Sequence, residues 1–334
     1  MSPPPVFSRR RSLLLSATIV VGFFAAGELV LRVVGVRPAV RPRLLLRAID
    51  TDIDLPFMRA DADLFWSPRP GFRGSFMDRP VTINSIGLRG AELRPRRAGA
   101  RRIACFGDSI TFGYGVGDEE TYPYRLDSAL RADGIEAVNA GVTGYTSHQV
   151  RRLVTRVADA APFDIALLCV GWNDGTWRPV DDREYERRLA SVNAVEGVAD
   201  RFYIYRALKG LYVRSLVRGV QEQRRTTPRV PVAQYRENLA AIVDACRRHR
   251  IRPVFVGLPH RRLAGDPPVD RLYPAAFEAA ARELDVPLVD PGELGTSSSA
   301  ENGASFIDSL HLSPSGHQRM GEAILRQLRA LGIV

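Results

Sequence analysis

A serine, an aspartate and a histidine in this chain are placed where they could carry out acyl chemistry. Ser109 lies in the run GDSIT at residues 107–111, where a short apolar stretch gives way to a helical pattern. Asp308 and His311 stand three positions apart, just before the C-terminal helical pattern. A serine hydroxyl is a poor nucleophile until an imidazole accepts its proton, and a carboxylate can fix the tautomer of that imidazole. Together the three side chains could attack a carbonyl carbon.

Two further loops carry groups that could stabilise an oxyanion. The run NAGVTG at residues 139–144 has two glycines three positions apart, which permits a tight turn, so the Gly144 N–H could donate to an oxyanion. The run GWND at residues 171–174 supplies the side-chain amide of Asn173, and one such donor typically contributes ~3 kcal/mol. We assign Asp174 a structural role. The backbone N–H of Ser109 is the third candidate donor.

Each of these motifs, taken alone, also has an ordinary structural interpretation. Asp108 or Ser109 could simply cap a helix, the glycine pair could form a plain turn, and Asn173 could form an Asx turn. His317, one turn after His311, is a histidine for which we expect no catalytic role. What favours a catalytic interpretation is the joint order of these groups along the chain. A nucleophile, a glycine donor, an amide donor, and an acid with a base follow one another, each after a strand candidate. The chain has no G-x-S-x-G run, which argues against an α/β-hydrolase elbow.

The elements that must position these residues alternate between strands and helices from residue 101 onward. Short apolar runs predict strands and amphipathic runs predict helices, and this order predicts a parallel sheet with helices on both faces. Functional residues of such sheets gather at the carboxyl ends of the strands. The strand candidates are 102–106, 137–140, 165–170, 252–256 and 286–289, and the helix candidates are 122–132, 147–158, 232–249, 273–284 and 314–331.

These four motifs resemble the characteristic blocks of the SGNH, or GDSL-type, serine hydrolases, over roughly residues 101–334. The resemblance implies Ser109 as nucleophile, His311 as general base and Asp308 as its orienter. It implies an oxyanion hole formed by Ser109, Gly144 and Asn173. It also implies an α/β fold of the three-layer α/β/α, flavodoxin-like type with a five-stranded parallel sheet in the order 2-1-3-4-5. Residues 66–89 and 229–238 resemble membrane-anchored bacterial members, less specifically.

The N-terminal residues are typical of a membrane segment. The apolar stretch from Leu13 to Gly27 would reach only about 22 Å as a helix, short of a hydrocarbon core of roughly 30 Å. Counted to Val36 it is long enough, and Glu28 with Arg32 can pair at i, i+4. We expect an uncleaved transmembrane helix over 13–36, with a signal peptide cut after the small residues Ala25 and Gly27 as the alternative.

The net charge of +10 is concentrated near the N-terminus, where residues 1–49 hold eight arginines and one acid. Beyond them acids and bases nearly balance and no basic stripe interleaves with aromatics, so we expect no nucleic-acid partner. Four arginines follow the apolar stretch and three precede it, which leaves the membrane orientation open. We expect a catalytic domain on the outer side of a bacterial membrane.

The three cysteines show neither C-x-x-C nor histidine spacing, which predicts no disulfide framework and no zinc site. The chemistry above requires no metal or organic cofactor.

The chain divides into four predicted parts. The parts are a basic tail at 1–12, the membrane segment at 13–36, a juxtamembrane segment with a small β extension at 37–100, and the hydrolase domain at 101–334 with an insertion at 178–231 that is helical around 202–217.

The leading functional hypothesis is hydrolysis of an ester or acyl bond, by an esterase, lipase, thioesterase or carbohydrate deacetylase. The substrate would be an acylated small molecule, lipid or glycan. An alternative is O-acyl transfer to a cell-envelope glycan, because a sugar hydroxyl can intercept the same acyl-enzyme. A catalytically silent glycan-binding or scaffold domain is a third hypothesis. It predicts a missing nucleophile or base, whereas every position is filled.

Overall fold

Helix α1, Arg9–Val33, begins the part of the chain that the computed structural model describes, which is residues 9–34, 55–193, 202–208, 211, 227–259, 272–291 and 305–334. Within α1, Arg10–Val33 is long and apolar enough to cross a membrane. The predicted ion pair between Glu28 and Arg32 is formed, with Nε and Oε1 2.8 Å apart. The end of the predicted span and the first part of the juxtamembrane segment, residues 35–54, lie outside the described residues.

The β extension consists of two antiparallel hairpins. Strands β1 (Met58–Asp61) and β2 (Phe65–Pro68) form the first, and β3 (Arg73–Phe76) and β4 (Arg79–Thr82) form the second. Of these four strands, only β4 shows a strand-like pattern in the sequence, in the run at residues 79–84. The extension packs on the main sheet because its aromatic side chains join the core and the Arg89 N–H donates to the Asn139 carbonyl at 3.0 Å.

The central sheet has five parallel strands. They are β5 (Arg101–Gly107), β6 (Ile135–Gly141), β7 (Ile165–Cys169), β10 (Arg252–Val256) and β11 (Leu288–Val289). Their spatial order is β11-β10-β7-β5-β6, which is 2-1-3-4-5 when the five are counted along the chain. The predicted three-layer α/β/α fold is confirmed, and the strand centres match the predictions, although β11 is two residues long where four were expected.

Helices cover both faces of the sheet. One face packs against α4 (Ser147–Ala160), α7 (Val232–Arg248) and α8 (Leu272–Glu283), and the other against α3 (Tyr122–Leu130) and α9 (Pro314–Ala330). Along β5, Ala104 and Phe106 enter the first core while Ile103 and Cys105 enter the second. This alternation follows from the two-residue period of a strand, and burial of both faces explains the continuously apolar strand sequences.

The insertion is closed at its base by a short antiparallel pair, β8 (Trp177–Arg178) with β9 (Thr227–Pro228). Its described part contains α5 (Asp182–Asn193) and the short helix α6, residues 203–208. The sequence predicted a helix around residues 202–217. Only α6 and residue 211 of that prediction can be compared, because residues 209–210 and 212–226 lie outside the described part of the chain. Sequence reasoning missed α5, which has too few apolar residues to show a periodic pattern.

Candidate active site

The side chains of Ser109, His311 and Asp308 form a continuous chain of hydrogen bonds. Ser109 Oγ lies 3.0 Å from His311 Nε2, and His311 Nδ1 lies 2.7 Å from Asp308 Oδ2, although 202 residues separate serine from histidine in the sequence. Distances of this size allow a proton to pass from the hydroxyl to the ring. The fold therefore brings together the three residues on which the sequence hypothesis depended.

Backbone hydrogen bonds in the loop at residues 308–311 orient the Asp308 carboxylate toward the His311 ring. Oδ1 accepts hydrogen bonds from the backbone N–H of His311 at 2.6 Å and of Leu310 at 2.8 Å, leaving Oδ2 for the ring. Partial burial raises the pKa of Asp308, but the hydrogen bonds from His311 and Leu310 outweigh it and hold the pKa below its ordinary value. An ionised Asp308 accepts from Nδ1–H, which leaves Nε2 unprotonated toward Ser109.

Ser109 opens α2, a single helical turn at Ser109–Phe112, directly after β5. Asp108 is the N-cap, because its Oδ1 accepts from the Ile110 N–H at 2.9 Å. At the end of β6, a Cβ added to Gly141 would overlap the backbone of Phe112. Glycine at 141 thus lets the second strand approach the turn that carries Ser109.

The three predicted oxyanion donors follow neighbouring strands β5, β6 and β7. Gly144 adopts a left-handed φ of 80°, which a glycine accommodates without strain. The Asn173 amide donates to Asp108 Oδ2 at 3.3 Å and to the Tyr145 carbonyl at 3.0 Å, joining all three loops. In the described part of the chain, neither the Ser109 N–H nor the Gly144 N–H donates to another protein group. Both could therefore donate to a ligand.

Tyr114 stacks on the candidate base and was missed by sequence reasoning. Its ring lies 4.3 Å from the His311 ring, at an interplanar angle of 27°. Phe76 of the β extension packs edge-on against Tyr114 at 5.2 Å, and the exposed Met77 and Ile307 lie against the next residue, Gly115. The extension therefore gives the site an apolar wall on the side of His311. A lone tyrosine five residues after Ser109 offers no sequence signal for this contact.

A buried arginine, Arg229, holds the glycine loop. Its Nη1 donates to the Gly144 carbonyl at 2.7 Å, and its Nη2 lies 3.0 Å from Asp182 and 3.1 Å from the Gln149 amide oxygen. Trp66 donates through Nε1 to the Thr143 carbonyl, the neighbouring position of the same loop, at 3.0 Å. Both residues stand in segments that resembled membrane-anchored members, but the sequence assigned them no role.

A second buried arginine, Arg89, holds the turn that follows Ser109. Its guanidinium donates to the carbonyls of Phe112 and Gly113 at 2.6 Å each and to that of Val116 at 2.7 Å, and it pairs with Asp118 at 2.9 Å. Carbonyls at the end of a helical turn have no partner within the helix, so Arg89 satisfies them. The β extension thereby stabilises the backbone that positions the candidate nucleophile.

Replacing Arg229 by methionine is expected to destabilise the fold by about 3–5 kcal/mol, because the Asp182 carboxylate would remain buried without its partner. Urea unfolding would measure the change in the free energy of unfolding. Arg236→Met is the matched control, since Arg236 and Glu283 form an exposed pair for which about 0–1 kcal/mol is expected. Equal losses in the two variants would contradict the role given to Arg229.

Asp174 lies in a buried network beneath the site and not at its surface. Its carboxylate accepts from the Ser147 N–H and hydroxyl, and Asn238 donates to the same hydroxyl at 3.0 Å. Burial raises the pKa of Asp174 to about 7, against the opposing effect of the Ser147 hydrogen bonds. The carboxylate therefore supports the start of α4, in keeping with the structural role predicted for it.

The raised pKa of Asp174 predicts how stability depends on pH. The folded chain binds this proton more tightly than the unfolded chain, so the stability that the proton contributes is complete below about pH 4 and is lost as pH rises toward 7. The free energy of unfolding of the intact chain minus that of Asp174→Asn should fall across this window, by on the order of 4 kcal/mol at most.

Asp61→Asn is the control for this experiment. Burial raises the pKa of Asp61, but hydrogen bonding and attraction from Arg156 outweigh it, so its pKa is lowered. Its contribution to stability is therefore present above about pH 4 and is lost as pH falls further, which predicts a flat difference between about pH 5 and 7. A flat difference for Asp174→Asn as well would show that the buried carboxylate does not titrate in this range.

Comparison with known proteins adds a family match. Residues 105–319, well over half of the chain, match the model of the GDSL-like lipase/acylhydrolase family. The match includes Ser109, Gly144, Asn173, Asp308 and His311. No curated protein matches the chain by sequence.

Several solved structures are similar in fold. They include the psychrotrophic esterase EstA from Pseudoalteromonas sp. (14% identity, covering 70% of this chain and 100% of that one, TM-score 0.46), the lipase/acylhydrolase from Enterococcus faecalis (17%, 69% and 96%, 0.44) and the acetyl xylan esterase AlAXEase (14%, 68% and 99%, 0.46).

Proposed function

Because this chain belongs to the GDSL-like lipase/acylhydrolase family, we propose that it hydrolyses an ester bond of an acylated substrate through an acyl-enzyme on Ser109. The observation that carries the proposal is the 3.0 Å separation of Ser109 Oγ from His311 Nε2, with Asp308 bonded to the other ring nitrogen. An alcohol, a base and an orienting acid in this arrangement are suited to nucleophilic attack on a carbonyl carbon.

In the first half of the reaction, His311 Nε2 accepts the proton of Ser109 as Oγ forms a bond to the acyl carbon. Asp308 keeps the resulting imidazolium oriented and stabilises its charge. The backbone N–H groups of Ser109 and Gly144 donate to the oxyanion of the tetrahedral intermediate, and the Asn173 amide joins them by exchanging its 3.3 Å bond to Asp108 Oδ2 for one to the oxyanion. The bond to the leaving alcohol then breaks as His311 returns the proton to that oxygen.

In the second half, a water molecule attacks the acyl-enzyme. His311 takes a proton from the water, and the same three donors stabilise the second tetrahedral intermediate. The bond from the acyl carbon to Ser109 Oγ then breaks as His311 returns the proton to Oγ. The products are the free acid and the restored hydroxyl. Each step uses groups of this chain and water.

The substrate class we propose is an acylated small molecule, lipid or glycan. Tyr114 stacks on His311, and the exposed side chains of Met77 and Ile307 lie against the next residue, Gly115; this apolar surface suits an acyl group or another apolar part of the substrate. We also propose that α1 remains attached and holds the domain on the outer side of a bacterial membrane. Protease digestion of intact and lysed spheroplasts would test this, since digestion of the domain only after lysis would place it in the cytoplasm.

A fluorophosphonate probe, which phosphonylates activated serines, tests the proposed function. The full chain should label, Ser109→Ala should not, and the surface variant Ser85→Ala should label like the parent chain. A series of p-nitrophenyl esters of increasing acyl length would then give the preferred acyl group. Failure of the folded parent chain to label would reject the proposal, and acetylated glycan with little free acetate would favour acyl transfer over hydrolysis.

A further inference from the structure

The insertion contacts the membrane-spanning helix. The Ile204 N–H, at the start of α6, donates to Glu28 Oε2 at 3.0 Å, and the Ile204 side chain packs on Gly27. The Arg32 guanidinium lies over the Tyr203 ring, 5.2 Å from its centroid. Three independent contacts thus join α6 to one face of the last two turns of α1.

These contacts fix the depth of α6 relative to a membrane. Residues 13–33 of α1 span about 31 Å, which matches the roughly 30 Å thickness of a hydrocarbon core. Glu28 stands five residues before Val33, so it lies about 8 Å inside the end of that span. A segment bonded to Glu28 and stacked on Arg32 must therefore lie at the boundary between hydrocarbon and headgroups.

The contact also explains how Glu28 is tolerated within an apolar helix. A carboxylate near the hydrocarbon boundary is costly unless it is paired and hydrogen-bonded. Oε1 pairs with Arg32 at 2.8 Å, and Oε2 accepts from Ile204. The insertion thus supplies the second partner that this charge requires at that depth.

The segment that reaches this depth exposes large apolar side chains. Phe202, Leu208 and Leu211 are 52%, 55% and 59% exposed. In water such surface is unfavourable, whereas at a bilayer boundary it can enter the acyl region. The Arg206 guanidinium lies 5.4 Å from the centroid of the Tyr203 ring. Tyrosine and arginine side chains commonly lie at the level of the lipid headgroups.

The charge of this segment indicates the kind of bilayer. Residues 202–211 contain two basic residues, Arg206 and Lys209, and no acid. Basic residues interleaved with apolar ones at a membrane surface favour anionic lipids. From contact, depth, exposure and charge, and resting on the proposed anchoring by α1, we propose that Phe202 and helix α6 dock in the interface of an anionic bilayer and seat the hydrolase domain on the membrane that α1 crosses.

Site-directed spin labelling of the full chain in vesicles of phosphatidylglycerol and phosphatidylcholine tests this proposal. The native cysteines Cys105, Cys169 and Cys246 are buried, so a single introduced cysteine can be labelled selectively. Phe202→Cys and Leu211→Cys report on the segment. Leu272→Cys, similarly exposed on α8, is the aqueous control, and Leu29→Cys, exposed on α1, is the lipid control.

Collision rates with oxygen and with a water-soluble nickel chelate give the depth of each label. We expect the ratio of oxygen to nickel accessibility at positions 202 and 211 to exceed that at 272 severalfold and to approach that at 29. Ratios equal to the ratio at 272 would overturn the proposal. So would an unchanged ratio at both positions in vesicles of phosphatidylcholine alone, because the anionic lipid would then play no part.

Two measurements distinguish membrane docking from loss of α1 and from burial against a protein. Intact mass must show that α1 is retained, because its loss would remove the contact and overturn the proposal for the mature chain. Low accessibility to both reagents at 202 and 211 would indicate a covering protein or second copy and would also overturn it. Fluorophosphonate labelling of the same variants separates these outcomes from the proposed catalysis, which none of the four substitutions touches.

Discussion

Ser109→Ala, His311→Ala and the double variant are each expected to lower kcat for ester hydrolysis by about the same factor, on the order of 10⁴ to 10⁶. Attack by Oγ and removal of its proton belong to a single step, since the two atoms lie 3.0 Å apart. Once either group is lost the step no longer occurs, so losing the second costs little more. Steady-state kinetics with an activated ester would measure all three variants.

His317→Ala is the control for this cycle. His317 lies in the core against α3, where its Nδ1 accepts from the Tyr122 N–H at 3.3 Å and burial lowers its pKa to about 3. It therefore remains neutral, and its loss should affect stability and leave kcat of the folded protein unchanged. If the effects of Ser109→Ala and His311→Ala multiplied in the double variant, the two side chains would be acting independently, contrary to the proposed mechanism.

The central sheet could be predicted from the sequence because local signals were strong there. Strands buried on both faces leave short, continuous apolar runs such as 165–170, and Ser313 before Pro314 marks the start of α9, where the Ser313 hydroxyl accepts from the Gly316 N–H at 3.1 Å. The spatial order of the strands came from the family resemblance. Apolar runs show that strands exist, but they do not state which strands are neighbours.

The residues that support the site could not be predicted in the same way. Arg229 and Arg89 act on backbone carbonyls, which every residue has, so nothing in the sequence marks their partners. Strand β3, with three exposed residues followed by a buried one, shows no alternation that would predict a strand. Tyr114 meets His311 only because α2 and the Asp308 loop converge. Such contacts depend on tertiary structure, whereas the three residues of the candidate triad could be selected from the sequence because acyl chemistry limits the residue types.

Asp308→Asn is expected to lower kcat by about 10⁴ although the side chain keeps its shape. In the native loop, Oδ1 accepts from the backbone N–H groups of Leu310 and His311. An asparagine would keep its single oxygen at those two donors, which places its NH₂ group at the position of Oδ2. That group donates to His311 Nδ1, so the ring must carry its proton on Nε2 and can no longer accept the proton of Ser109.

The tautomer of His311 is therefore the quantity to measure beside kcat. Nitrogen NMR of the labelled ring should show the proton on Nδ1 in the parent chain and on Nε2 in Asp308→Asn. Asp133→Asn, which alters a similarly exposed carboxylate paired with Arg329, should leave both kcat and the tautomer unchanged. An Asp308→Asn variant within tenfold of the parent kcat would show that this carboxylate does not set the proton position on which the proposed mechanism depends.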